Sequence, residues 1–207
     1  MQHPQTVAIP KTTPYRHFDV EGWDVQLGSV CGAFHTKAEA GQVTGSVSMR
    51  SLLGIDIACV NVSPSHIVRN QQDVRSDGAA YYFLIGQKAA QAHIQHGGRS
   101  ELLRGGDMVL VDSSQQSQFI YTGTEQASIS NQVSVHIPRY LLEGKLSAQH
   151  VGERISAESD LAQCVWEQLS ALEDVADLLS DQRLHTDTFR GLFLKAFTHI
   201  FHTDRHQ

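Results

Sequence analysis

Between residues 42 and 137 the chain breaks into short runs of β-type residues, cut by tight turn signals, with no helix-period stretch among them. "QVTGSVSM" (42–49) places Val43, Gly45, Val47 and Met49 on one face. "IDIACVNVS" (55–63) is β-branched and ends at Ser63-Pro64, and "AYYFLIG" (80–86) is apolar on both faces. "AAQAHIQH" alternates again, and Gly97-Gly98 supplies the positive φ angles of a primed hairpin turn. "LLRGGDMVLVDSS" (102–114) is a second hairpin candidate around Gly105-Gly106-Asp107, followed by "QSQFIYTG" and "QASISNQVSVHI". About eight strands without interleaved helices predict an antiparallel sandwich or barrel.

The flanks differ. Residues 1–19 carry Pro4, Pro10 and Pro14 and read as an extended arm, which can either hang free or fold over a pocket. Trp23, Leu27, Val30 and Phe34 have helical spacing, weakened by Gly28 and Gly32, and a strand is expected to begin near Ala33. Pro138 and Gly144 bracket one short helix in "IPRYLLEGKL". Residues 157–179 and 186–202 carry amphipathic helical stripes, the first N-capped by Ser156, and their short connection predicts an antiparallel hairpin. The predicted fold class is therefore mainly β with C-terminal helices: a cupin-like antiparallel β-barrel, or jelly roll, followed by an α-helical hairpin. The expected division is an arm at 1–19, a ligand-sensing barrel with short flanking helices at 20–147 and the hairpin at 148–207.

Charge limits the partners. The chain has 207 residues, with 16 Lys and Arg against 22 Asp and Glu, for a net charge of −6. Binding nucleic acid needs a basic face, so direct binding by these residues is not expected. Cys31, Cys59 and Cys164 show neither zinc spacing nor an even disulfide count. They read as buried thiols in a reducing cytosol, and the N-terminus lacks a signal-peptide apolar core. A cytoplasmic location and no membrane partner are expected.

Reactive chemistry has little support. His93 and His96 lie three apart on a strand and so point to opposite faces. His199 and His202 share a helix face, but only Asp204 lies near them in sequence. A metal-dependent cupin enzyme needs clustered His and Glu ligands at the barrel mouth. The β segments offer only His66, His93, His96 and His136, which do not cluster in sequence; that enzyme is kept as the alternative function. Cys31 in "GSVCG" has no identifiable base, and phosphate-loop and Gly-x-Ser-x-Gly motifs are missing. Arg99 beside Gly97-Gly98 could serve a cyclic-nucleotide jelly roll, but a hairpin explains those glycines without a ligand. No catalytic residue, metal ligand or cofactor is predicted. The aromatic residues are more informative. Tyr81, Tyr82 and Phe83 are consecutive on a strand, so at least one points inward. A small barrel either fills its interior or holds one small ligand. Trp23, Arg69, Tyr82, Phe83, Asp112 and Phe119 are the candidate ligand-binding residues, with Arg69, Asp112 and His66 as polar anchors. Arg69 and Asp112 could equally form a structural ion pair.

The order of pieces resembles the N-terminal effector-binding and dimerisation domain of AraC/XylS-type transcription activators, most of all the FeaR-type regulators of phenylethylamine and related aromatic-amine breakdown. The resemblance is carried by Trp23 with "VCGAF" (30–34), "RNQQDV" (69–74), "QAHIQHGGRSELLRGGDMVLVDSS" (91–114) and "IPRYLLEG" (137–144), and extends over about residues 20–200. It implies a small-molecule sensor for an aromatic amine or its derived aldehyde or acid, dimerising through the C-terminal helices. It also implies that DNA and RNA polymerase are contacted only through a C-terminal helix-turn-helix domain, which these 207 residues do not include.

Overall fold

In the computed structural model the strands sort into two sheets that share one interior and leave the larger sheet a second buried face. The structure describes residues 14–52, 55–78, 80–142, 144, 146, 148–176 and 191. Strand β1 (Arg16–Asp19) leads into helix α1 (Val20–Cys31), N-capped by Asp19, whose carboxylate accepts from the Gly22 amide. The strands that follow are β2 (His35–Lys37), β3 (Gln42–Leu52), β4 (Ile55–Val62) and β5 (Ser65–Arg69), then helix α2 (Gln71–Asp77). Next come β6 (Tyr81–Ala89), β7 (Gln91–His96), β8 (Arg99–Leu103), β9 (Met108–Asp112), β10 (Ser117–Thr122) and β11 (Ser130–Pro138). Helix α3 (Arg139–Leu142), the short strand β12 (Arg154–Ile155) and helix α4 (Asp160–Ala176) complete the described elements.

The seven-stranded sheet runs β1-β3-β4-β11-β6-β9-β12 and the five-stranded sheet β2-β5-β10-β7-β8. All strand pairings are antiparallel, as in a jelly roll. The fold is cupin-like, but built as two facing sheets rather than one continuously bonded barrel. Phe83, Ile85, Val109 and Val111 join Val60, Ile67, Ile94 and Phe119 in the inner core between the sheets. Leu84, Met108, Leu110, Val133 and Val135 belong to a second core with Leu142, Val165 and Leu169 from α3 and α4. This double covering explains why β6 and β9 read as apolar on both faces.

The Gly105-Gly106-Asp107 turn anchors the C-terminal segment. The Asp107 carboxylate accepts from the Arg104 amide and the Ala157 amide, both at 2.9 Å, and pairs with Arg154 at 3.2 Å. Trp166 of α4 donates its indole N–H to the Gly106 carbonyl at 2.8 Å and lies flush over Gly86.

Several local expectations hold. Gly97 and Gly98 have φ of 59° and 78°, as the primed turn requires, and α1 and α3 form where helices were predicted. Others need correction. The cap of α4 is Ser159, whose hydroxyl accepts from the Ala162 amide; Ser156 instead closes the preceding turn through the Glu158 amide. Ala90, expected inside a strand, is the turn between β6 and β7, with φ at 58°. Helix α2 was not anticipated, although Asn70 and Asp73 form a full capping box at its start. Residues 186–202, and with them the hairpin, lie outside the described residues apart from Gly191, as do the arm's first 13 residues.

A Cβ at Gly86 would sit 2.6 Å from the Trp166 ring. Gly86→Ala is expected to push Trp166 off the sheet and lower stability by about 1–3 kcal/mol. A urea melt with a red-shifted Trp166 emission in the native baseline checks this.

Candidate functional site

The inner face of β11 is polar. Ser130, Gln132, Ser134 and His136 alternate with Val133, Val135 and Ile137, and the apolar row faces α3 and α4. All four polar residues are buried. Half of this row is satisfied by a network: Tyr121 Oη donates to Gln132 Oε1 (3.0 Å), Gln132 Nε2 to Gln87 Oε1 (2.7 Å) and Gln87 Nε2 to Ser130 Oγ (2.8 Å). That network closes one end of the interior.

The other end lies four residues along the strands, about 13 Å away. There the same inner face meets solvent: Met49 is 47% exposed and Tyr81 37%, whereas Val43 and Val62 on that face are fully buried. Asp56, half-buried, pairs in register with His136 across β4 and β11. His136 is 6% exposed, and its ring lies 4.6 Å from Phe83 and 6.1 Å from Tyr81. Among the described residues its Nε2 has no hydrogen-bond partner. Burial pushes the His136 imidazolium down to about 4, against a weaker upward pull from Asp56. The ring is therefore neutral near pH 7, with one buried polar atom left to offer.

The predicted residues divide between the two faces. Phe83 and Phe119 lie in the inner core, Phe119 edge-on to Phe34 at 6.1 Å and stacked on Tyr121 at 6.3 Å. Trp23, fully buried, closes the α1 side against Gly45, where a Cβ would meet its ring at 2.8 Å. Arg69 is also inside, 1% exposed, but most of its donors are occupied. Nε donates to the Ser113 carbonyl (2.9 Å), Nη1 to the Ala33 carbonyl (2.8 Å) and Asp77 Oδ2 (2.6 Å), and Nη2 to Asp77 Oδ1 (2.7 Å). Its ion pair is with Asp77, not Asp112. Tyr82 and Asp112 sit on the opposite face of the sheet, where Arg139 covers the Tyr82 ring and binds the Asp112 carboxylate at 2.7 Å. His66 is on the outer face of the five-stranded sheet, bonded to Gln118.

His136, Asp56 and Tyr81 were not singled out as ligand contacts. The available signal was the polar alternation Ser130-Gln132-Ser134-His136 opposite a β-branched row.

The sequence matches the model of the AraC-binding-like domain over residues 23–199. The chain belongs to that family. Among solved structures this AraC-type domain resembles the AraC-like transcriptional activator CuxR at 12% identity and TM-score 0.66, over 90% of this chain and 69% of that one. Weaker likenesses are to the EutQ protein of Clostridium difficile (10% identity, TM-score 0.33, 59% of this chain and 81% of that one) and KdgF from a Halomonas species (9%, 0.35, 47% and 81%). The family assignment makes this an effector-binding regulatory domain of the AraC type.

Its histidines diverge. His93 faces outward to Ser100, whereas His96 faces inward, with Nδ1 bonded to the Gln116 carbonyl and Nε2 accepting from the Asp112 amide. Among the described residues no three His, Cys, Asp or Glu side chains are grouped to hold a metal. Burial pushes the Cys31 thiol up to about 12, so it is protonated and a poor nucleophile. Among the described residues no helix is long and apolar enough to cross a membrane.

Two outcomes follow for this AraC-type domain. The folded pKa of His136, about 4, lies below the ordinary 6.5, so as pH falls the unfolded chain takes up the proton first. Stability is then constant above pH 6.5 and falls between 6.5 and 4, by about 3 kcal/mol for this group. His96, shifted downward by burial too, steepens the same slope. Subtracting the pH–stability curve of His136→Gln from that of the wild type isolates the His136 part. Separately, Arg69→Met strands the Asp77 carboxylate and is expected to cost about 3–5 kcal/mol in a denaturant melt.

Proposed function

We propose that this domain senses a small aromatic effector held on the inner face, at the end where Tyr81, Phe83 and His136 meet. The observation that carries the reading is the buried, unpartnered Nε2 of His136 beside the stacked rings of Tyr81 and Phe83 at an end open to solvent. A buried polar atom without a partner costs about 1–3 kcal/mol, which a ligand hydrogen bond removes. The effector ring stacks on Phe83, with Phe119 and Trp23 as deeper walls, and burying one ring contributes about 1.5–3 kcal/mol. Arg69 acts here as a brace for the wall rather than as the head-group anchor, because Asp77 neutralises it. The FeaR-like pattern supports reading the effector as an aromatic amine or the aldehyde or acid derived from it.

Signalling follows from differential affinity: the effector favours whichever arrangement of the N-terminal arm and C-terminal helices it binds better. The register of β1 on β3 (Arg16 opposite Gly45, Asp19 opposite Gln42) aims the chain preceding Arg16 toward the Met49 end of β3. The C-terminal helices make a homodimer, and a helix-turn-helix domain carries the contacts to DNA and RNA polymerase in the cytoplasm.

Isothermal titration with a panel of aromatic amines, aldehydes and acids tests the proposal. At least one class is expected to bind and to raise the Tm with concentration. Phe83→Ala and His136→Phe should each weaken that binding tenfold or more, the equivalent of about 1.4 kcal/mol, while His93→Ala leaves it unchanged. A panel without binders, or binding indifferent to both inner-face substitutions, overturns it.

A further inference from the structure

The charged groups around the open end are arranged asymmetrically. Asp56 stands on the inner face beside His136 and, among the described residues, forms no salt bridge. The neighbouring positions on the same rung of the sheet are Ser51 on β3 and Phe83 on β6. Neither carries a charge. Two arginines near this end are committed to carboxylates, and Arg50, next along β3, pairs in register with Ile57 on the other face of the sheet. Arg69 is bound bidentately by Asp77, and Arg139 lies on the far face with Asp112.

We infer that Asp56 and His136 form the head-group pocket of this site and select a protonated amine over a carboxylate carried on the same ring; the inference rests on the effector-binding reading above. A primary ammonium has three donors. One can reach the His136 Nε2, an acceptor when the ring proton is on Nδ1, while the positive charge lies against the Asp56 carboxylate. Because burial keeps His136 neutral, the ring does not repel that charge. A carboxylate in the same place meets the Asp56 carboxylate and, at the inner-face positions of this rung (Ser51, Asp56, His136, Phe83), no cation, so its desolvation is not compensated. A neutral alcohol has one donor, for either the His136 nitrogen or Asp56, and no charge to set against the carboxylate. The order of affinity is therefore amine, then alcohol, then acid.

The test titrates the 207-residue chain near neutral pH with 2-phenylethylamine, 2-phenylethanol and phenylacetate, which differ only in head group. The amine is expected to bind tightest and the acid weakest. Asp56→Asn should weaken the amine about tenfold, the size of a charge-assisted hydrogen bond, and weaken the alcohol by much less, so that the amine-to-alcohol ratio falls. An acid that binds as well as the amine, or an amine-to-alcohol ratio that survives Asp56→Asn, overturns the charge selectivity while the effector-binding reading stands. If none of the three binds, the amine selectivity falls, and the effector-binding reading is decided by the wider panel of amines, aldehydes and acids.

Discussion

The structure depends on burying the middle of the larger sheet from both sides. Strands β6, β9 and β11 must be apolar or internally bonded on two faces at once, since one face meets the smaller sheet and the other meets α3 and α4. Peptide groups in such strands cannot turn to water, so the antiparallel ladders supply their hydrogen bonds. Gly86 is the point where this packing is tightest, because a side chain there would occupy the space of the Trp166 ring. The Asp107 carboxylate completes the arrangement by holding a turn, a short strand and the approach to α4 in one place.

Against that background the polar inner row of β11 is unusual. A core strand gains most by directing apolar side chains to both buried faces. Here Gln132 and Gln87 are buried in the interior and bonded to each other, to Tyr121 and Ser130, and to the Ala89 carbonyl. Such networks are costly unless complete. The row is complete at the closed end and incomplete at His136, where the interior opens. A fold that needed only stability would have little reason to end the row in an unpaired imidazole.

Much of the fold was legible because its signals are local. The Gly97-Gly98 turn, the alternation along β3 and β7, and the Pro138-to-Gly144 bracket around α3 each depend on a few adjacent residues. Helix α2 also carried a local signal, the Asn70–Asp73 box, hidden in a stretch too short to show helical periodicity. The site was harder to read. Period-2 reasoning assigns faces only where one face is polar, so "YYFLIG" and "MVLVD" gave no direction to Tyr82 or Asp112. In β11 the alternation alone does not say which row faces inward, and here the helices cover the apolar one. The partner of Arg69 was illegible for another reason. Asp77 reaches it from the far end of α2, and Asp112, the better candidate in sequence, is taken by Arg139 on the other face.

Phe83 and Leu84 are neighbours in one strand, yet they belong to different compartments: one borders the solvent-facing end of the interior, the other lies beneath the C-terminal helices. Between them is a single peptide unit, held rigid by ladders to β9 and β11. Two residues further along the same strand, Gly86 lies directly against the Trp166 ring. Only the thickness of one sheet therefore separates the interior's solvent-facing end from the layer of α3 and α4.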